Sequence, residues 1–208
     1  KKNQPSINQL LNICRQYGTI PFAKLARHAF IGMTLIKSLN AGGVISSLRL
    51  SDYSSSIKTV LSEMLEDVQK LKNNTIKKID FNKKYGHLRP GTYDISSRSY
   101  RDIDPIELFG DRTINLDDKI FNFNSKELSR INELINFFKL PFSDGHELLN
   151  YTSLSIQGRE RSKFEFTRVI DLIFESVKNI SKNYSITIDD LSYLPIERLA
   201  LLEKNNHI

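Results

Sequence analysis

A helical repeat of apolar residues runs through most of this 208-residue chain and constrains its fold more than any other feature. The longest stretch spans about residues 143–184, where apolar side chains recur every three or four positions. The same period occurs over 21–40, 51–72 and 125–138, and a short helix is expected over 75–85. Convincing strand patterns, internal repeats and low-complexity tracts are absent, so the sequence predicts an all-α fold.

Local signals indicate where these helices begin and end. Pro21 suits a first helical position, and Ser51 and Ser125 suit the N-cap positions of two further helices. Gly158 marks either a bend in the longest helix or a close neighbour there. Residues 86–123 contain several Pro and Gly and few apolar periods, which predicts a long ordered loop. The sequence therefore predicts an irregular helical domain with one long C-terminal helix.

Size and composition limit the class of protein. At 39% hydrophobic residues, 208 residues can bury a real core, as one domain or two small ones. The single cysteine, Cys14, forms no internal disulfide, which fits a reducing cytoplasm. The sequence contains no apolar run of about 18 residues, so no membrane partner is expected. Lys1 in place of Met suggests a processed chain or an excised piece of a longer one.

The net charge of +6 could attract nucleic acid or an anionic ligand. The lysines are nevertheless spread along the chain, for example over residues 70–84, which is typical of solvated helix faces. Standard nucleic-acid-binding motifs are absent. Nucleic-acid binding is therefore the third and least favoured interpretation.

Residues 84–94, Lys-Tyr-Gly-His-Leu-Arg-Pro-Gly-Thr-Tyr-Asp, form the chemically most informative segment. Its glycines and proline favour a non-helical turn, and such turns often carry functional polar groups. His87, Arg89, Tyr93 and Asp94 are therefore candidate site residues. The alternative is a turn whose His and Arg bond nearby carbonyl groups.

A second segment, Gly-Arg-Glu-Arg-Ser-Lys at 158–163, lies inside the longest predicted helix. Arg159 and Lys163 are four residues apart and should project from one face of that helix. A guanidinium fork and a mobile ammonium together suit an oxyanion or a phosphoryl group. Glu160 could orient Arg161 or another base. The alternative is a solvated, salt-bridged helix face.

Other catalytic patterns are absent. The sequence has no P-loop, no G-x-S-x-G elbow and no H-E-x-x-H pair. The four histidines lack the spacing of metal ligands, so neither a metal site nor a cofactor is predicted within this chain.

Together the two segments resemble motifs of the PEP-utilising phosphotransferases. Residues 84–95 resemble the Tyr-Gly-His-Arg-x-Pro-Gly-Glu-x-Asp region of the PEP synthase/pyruvate phosphate dikinase-like and rifampin phosphotransferase types. Residues 159–164, followed by Arg168 and Val169, are similar to the family's Arg-Glu-x-x-Lys/Arg-Phe helix. Residues 188–199 are similar to its Asp-Val-Phe-Tyr-Leu-x-x-x-Glu-Leu ending. The resemblance covers most of residues 20–200, and only the first two motifs are specific.

The resemblance implies that residues 1–208 form a single helical substrate-binding domain excised from a longer enzyme. In that family an ATP-grasp domain uses ATP and Mg²⁺ to phosphorylate a histidine on a swivelling domain. The swivelling domain then carries the phosphoryl group to an acceptor on the helical domain. The signature of the carrier histidine is absent from this chain, so the chain alone is expected to be inactive.

Site residues follow from the same resemblance. Arg159 and Lys163 would grip the phosphoryl group, and His87 would be a possible base for an acceptor hydroxyl. The residues implied for acceptor binding are Arg89, Tyr93, Asp94, Arg98 and Glu160. Two positions depart from the family pattern, because Thr92 replaces a Glu and Arg98 stands one position from the family's arginine.

These considerations leave two main interpretations. The first is the acceptor-binding domain of an ATP/PEP-dependent phosphotransferase, whose partners would be the ATP-grasp and phosphohistidine domains and a small-molecule acceptor. The second is a standalone helical module that binds an anionic ligand or a protein partner.

Overall fold

The computed structural model describes residues 5–109 and 120–205, and its side chains through residue 204. The described residues contain helices and no strands, which confirms the all-α prediction. A π-helical turn, Cys14–Thr19, joins the first two helices, and a 3₁₀ turn covers Tyr100–Asp102. The α-helices are α1 (Ile7–Ile13), α2 (Ile20–Ala41), α3 (Ser47–Ser56), α4 (Val60–Lys72), α5 (Lys78–Tyr85), α6 (Pro105–Phe109), α7 (Ser125–Phe137), α8 (Gly145–Tyr184), α9 (Ile188–Ser192) and α10 (Ile196–Asn205).

The chain forms two compact units, each with its own apolar core. Among the described residues, unit 1 contains 5–21, 64–109 and 163–205, and unit 2 contains 22–63 and 120–162. The core of unit 1 consists of Ile7, Leu10, Ile173, Val177, Ile180, Leu191, Leu199 and Ala200. The core of unit 2 consists of Ile36, Leu39, Ile45, Tyr53, Ile57, Phe121, Phe123, Ile131, Ile135 and Leu148. That one substrate-binding domain spans the chain remains a prediction.

Within unit 2, α2 packs closely against the first part of α8. A Cβ atom added to Gly32 would lie 2.7 Å from Thr152 Oγ1 and 3.0 Å from its Cα, so the two backbones almost touch. A Cβ atom on Gly158 would lie 3.3 Å from a methyl of Leu25. The earlier residue of α2, Leu25, meets the later residue of α8, Gly158, whereas Gly32 meets Thr152. The two helices therefore run antiparallel. α8 continues through Gly158, which accommodates a close neighbour.

Two predicted helix starts were wrong. Ser51 lies inside α3, which begins after Ser46, and the Ser46 hydroxyl accepts a hydrogen bond from the Arg49 amide. The apolar stripe that follows belongs to a separate helix, α4, preceded by reciprocal hydrogen bonds between Thr59 and Ser62. Ser125 is likewise the first residue of α7 rather than its cap.

Asn124 caps α7 in a reciprocal arrangement. Its side-chain oxygen accepts hydrogen bonds from the amides of Lys126 and Glu127, and the Glu127 carboxylate accepts one from the Asn124 amide. The same carboxylate accepts two hydrogen bonds from Arg49 at 2.8 and 3.0 Å. The Arg49 bonds hold the pKa of Glu127 below its ordinary value, and burial opposes them. The cap thereby also joins α7 to α3.

Residues 86–123, predicted as a long loop, contain short helical pieces where the structure describes them. The 3₁₀ turn and α6 both fall in this range. Backbone hydrogen bonds from Tyr100 to the Leu88 carbonyl (2.8 Å) and from Arg101 to the Gly86 carbonyl (3.3 Å) fold residues 86–101 back on themselves. Residues 110–119 lie outside the described part of the chain.

Candidate functional site

The turn that follows α5 contacts α8 through His87. This side chain is buried, with 7% of its surface exposed, and its ring packs edge-on against Phe164 at 4.8 Å between centroids. Nε2 lies 3.0 Å from the Phe164 carbonyl oxygen. A carbonyl only accepts, so Nε2 carries the proton and Nδ1 holds a lone pair. Within the described residues Nδ1 has no hydrogen-bond partner.

His87 is neutral at pH 7. Burial lowers its pKa from 6.5 to about 4, and the nearby charge of Arg168 acts in the same direction. A neutral imidazole with an unprotonated Nδ1 has the form that a general base requires. Its low pKa makes it a weak base at neutral pH, so His87 serves better as a hydrogen-bond acceptor.

Arg89 belongs to an ion cluster formed with Arg101 and two carboxylates of α8, in which Arg89 and Asp171 are buried. Its guanidinium donates to Asp171 Oδ1 at 2.7 Å and to the Ser97 carbonyl at 2.8 Å. Arg101 also donates to the Asp171 carboxylate, through Oδ2. Glu175 lies further out, 3.9 Å from Arg89 and 3.8 Å from Arg101. Arg89, near the start of the turn, and Arg101, at its end, thus both bind the Asp171 carboxylate.

Most of the hydrogen-bonding capacity of Arg89 is used by contacts that stabilise the fold. Its side chain is 2% exposed, and its guanidinium carbon lies 4.9 Å from the centroid of the Phe174 ring. Nε has no partner among the residues that the structure describes. A substrate phosphoryl group would have to displace Asp171 to gain the paired edge of this guanidinium.

The remaining candidates on the turn differ in exposure and in their bonds. The Asp94 carboxylate accepts hydrogen bonds from the Ser96 hydroxyl and amide at 2.6 and 2.9 Å, which lower its pKa. Arg98 donates to the Asp102 carbonyl. Tyr93 is 64% exposed. Asp94 therefore shapes the turn, and Tyr93 is presented to solvent.

Arg159 stands on the part of α8 that belongs to unit 2. Its nearest carboxylate is that of Glu160, at 3.7 Å, which is an ion-pair distance without a hydrogen bond. Its guanidinium carbon lies 5.6 Å from the ring centroid of Phe30, a residue that is itself 63% exposed. The guanidinium edges therefore have no hydrogen-bond acceptor within the described residues.

Arg161 and Lys163 differ in their partners. Arg161 forms an ion pair with Glu63 at 3.5 Å, on a different side of the helix from Arg159. Lys163, the first residue of unit 1 on α8, forms no ion pair with any residue that the structure describes. It follows Arg159 by one helical turn. Within residues 158–163, Arg159 and Lys163 are thus the cations that described carboxylates neutralise least.

Within unit 1, the structure places the first motif against the last residue of the second. His87 of the first motif bonds the carbonyl of Phe164, the last residue of the second motif's Arg-Glu-x-x-Lys-Phe pattern. The Thr167 hydroxyl donates to the same carbonyl at 2.8 Å. The turn therefore contacts α8 at the residue immediately after Lys163.

Sequence reasoning missed Asp171 and Arg101. Asp171 follows Phe164 by seven positions and precedes Phe174 by three, so all three lie on one face of α8. A carboxylate on an otherwise apolar face was the available signal, since such a group requires a cationic partner. Nothing local identifies Arg101 as one of its two partners.

Neither a cavity of ligand size nor a metal-binding cluster identifies a further site among the described residues. A small cavity of about 90 Å³ beside Glu175 is well below the usual size of a small-molecule site. No group of three metal-ligating side chains occurs among the described residues. None of the described helices is long and apolar enough to cross a membrane. The expected ATP and Mg²⁺ sites, placed by the resemblance on other domains, remain predictions.

Comparison with known proteins gives no family assignment. No protein-family model, no curated protein and no solved structure matches this chain.

Proposed function

We propose that this chain is the acceptor-binding part of a phosphotransferase of the PEP-utilising kind. Other domains would supply the ATP site and the phosphohistidine carrier. One observation carries the proposal: His87 contacts α8 at Phe164, directly after the segment that holds Arg159 and Lys163. The first motif of the family resemblance thus contacts the last residue of the second, although about 70 residues separate the motifs in sequence.

Arg159 and Lys163 would receive the phosphoryl group. Its oxygens need donors and positive charge, and these two side chains have donors that no described acceptor uses. The ring of Phe30 orients the Arg159 guanidinium, so less side-chain entropy is lost when an oxyanion binds. Charge that develops during transfer would be neutralised there.

His87 and Arg89 would position rather than react. The Arg89–Asp171 pair and the His87–Phe164 bond hold the turn on α8. The exposed Tyr93 and the remainder of the turn surface would then meet the acceptor. A general-base role for His87 is less favoured, because a pKa of about 4 gives little driving force for proton abstraction at pH 7.

Phosphate binding to the 208-residue chain tests this assignment. Inorganic phosphate is titrated while the side-chain Nε–H signals of the arginines are followed by NMR. The Arg159 signal should shift with a millimolar dissociation constant, and R159A and K163A should each weaken binding about tenfold, the effect of roughly 1.4 kcal/mol.

R161A is the matched control. It removes the same charge from the same segment, but Arg161 already has Glu63 as its partner. Binding should change less than about twofold, because an exposed charge that makes no direct contact is screened. Equal losses in R161A and R159A would mean that phosphate senses only general charge, and the proposed site would be wrong.

A further inference from the structure

The positive charge of this protein is concentrated at the beginning of its sequence. Residues 1–51 contain seven Lys or Arg and no Asp or Glu, whereas the other residues contain 23 basic and 24 acidic side chains. The net charge of +6 therefore originates in the first quarter of the chain. That quarter includes α2, the helix that packs against α8 in unit 2.

About half of the α2 surface is exposed, and every charged residue on it is a cation. Its buried residues, Ala29, Gly32, Ile36 and Leu39, define the opposite side of the helix. The exposed half carries Lys24, Arg27 and Lys37. None of these three forms an ion pair with a carboxylate in the described part of the chain. Because α2 contains no acidic residue, its cations also lack the i,i+4 partners usual on solvated helices.

An exposed aromatic ring lies among these cations. Phe30 is 63% exposed and falls between Arg27 and Lys37 along the helix. The Arg159 guanidinium carbon lies 5.6 Å from its ring centroid. An exposed ring supported by a guanidinium and flanked by cations has the two elements of single-strand recognition, a stacking platform and phosphate contacts.

We propose that the exposed half of α2 binds single-stranded nucleic acid without sequence preference. Lys24, Arg27 and Lys37 contact backbone phosphates, and Phe30 stacks on a base. At 1.5 Å per residue, Lys24 and Lys37 lie about 20 Å apart along the helix axis, a length that several nucleotides cover. Lys24, Arg27 and Lys37 take no part in the proposed phosphate site, which shares only Phe30 with this surface, through the contact of its ring with Arg159.

Other polyanions fit the surface less well. An anionic membrane would attract the same cations, but Arg27, Thr34 and Ser38 interrupt the exposed half, which offers no continuous apolar strip for insertion. A nucleic-acid duplex presents phosphates while its base faces remain stacked, which leaves Phe30 without a partner.

Fluorescence anisotropy with a labelled 20-nucleotide oligo(dT) tests the proposal. Binding should weaken with salt, with a log–log slope of about −2 for three phosphate contacts. K24E/R27E should weaken binding at 50 mM NaCl at least tenfold and reduce the slope. F30A should weaken binding roughly tenfold at an unchanged slope, because it removes stacking alone.

K126E on α7 is the control, since it reverses one charge at an exposed lysine of unit 2, as each half of K24E/R27E does on α2. It should alter affinity less than about twofold, and circular dichroism should show every variant folded. The proposal is overturned if the wild-type chain does not bind at 50 mM NaCl, or if K24E/R27E binds as tightly as wild type. It is also overturned if F30A has no effect, or if duplex DNA or phosphatidylserine vesicles bind more tightly than oligo(dT).

Discussion

At the residue scale, two buried polar side chains explain why the turn after α5 keeps its shape. His87 donates to the Phe164 carbonyl, and Arg89 donates to Asp171 and to the Ser97 carbonyl. Both side chains are over nine-tenths buried, so loss of either partner would leave a polar group without compensation. Substitution of His87 or Arg89 is therefore expected to destabilise the turn as well as to change its polar groups.

The low pKa of His87 makes stability depend on pH. The folded value of about 4 lies below the unfolded value of 6.5, so the unfolded state binds the proton first as pH falls. Stability contributed by neutral His87 is complete above pH 6.5 and is lost between about 6.5 and 4. By pH 4.5 the loss should reach roughly 2–3 kcal/mol.

Urea unfolding of wild type and H87Q at pH 7.5 and 4.5 measures this contribution. Gln can still donate to the Phe164 carbonyl but does not titrate. The free energy of unfolding should fall further in wild type than in H87Q, because the carboxylates contribute equally to both. An equal fall in the two proteins, or a His87 ring that titrates near pH 6.5 by NMR, would contradict the assignment.

Asp171 should be the most sensitive ionic position in unit 1. D171N removes the charge that two arginines share and leaves Arg89 buried without a counter-ion, which costs about 3–5 kcal/mol. E175Q is the control, because Glu175 is 41% exposed and should cost no more than about 1 kcal/mol. Chemical denaturation measures both, and similar losses would show that Asp171 is not the organising carboxylate.

At the element scale, the antiparallel contact of α2 and α8 within unit 2 depends on residues without large side chains. Gly32 meets the backbone of Thr152, whereas Gly158 meets only a methyl of Leu25. A backbone neighbour cannot give way, but a leucine side chain can change its rotamer. The two glycines therefore differ in what they can tolerate.

Alanine substitutions at Gly32 and Gly158 should change the stability of the protein by different amounts. G32A should destabilise the protein by about 1–3 kcal/mol, because its Cβ would overlap Thr152. G158A should be neutral or stabilising by up to about 1 kcal/mol, since alanine favours a helix over glycine and Leu25 can move. Thermal unfolding of both variants measures the difference, and equal melting temperatures would contradict the packing described.

Helix periods could be predicted from sequence, whereas helix starts depended on distant contacts. The sequence predicts α7 and α8 because apolar residues recur every three to four positions along both. Ser46 and Ser51 were equally plausible caps locally. In the helix that begins after Ser46, Tyr53 is 1% exposed and its hydroxyl lies 3.1 Å from that of Ser153. That contact is 100 residues away and invisible to local propensity.

The candidate site shows the same limit. Residue types and spacing predict that His87 and Arg89 lie on an ordered turn. They leave open whether the two side chains form a functional site or bond nearby carbonyl groups. Both do bond carbonyl groups, at Phe164 and Ser97. The partner carboxylate, Asp171, lies 82 residues from Arg89, so only the fold could identify it.

At the scale of the whole molecule, the distribution of charged side chains says more about ligand binding than the net charge of +6 does. Most ionic side chains near the two motifs are neutralised within the fold, as Asp171 and Glu63 illustrate. Lys163 on α8 and Lys24, Arg27 and Lys37 on α2 form no ion pair with a described carboxylate, and Arg159 has only the 3.7 Å contact with Glu160. Unneutralised cations are where an anionic ligand gains most, because no internal partner has to be displaced.

The most direct test of the central claim is a crystal structure of the chain grown with inorganic phosphate. Phosphate density is expected within hydrogen-bond distance of the Arg159 guanidinium and the Lys163 ammonium, and it should be lost in crystals of R159A. An Arg159 guanidinium bonded to Glu160, with phosphate absent from α8 or bound equally well in R159A, would contradict the proposed function.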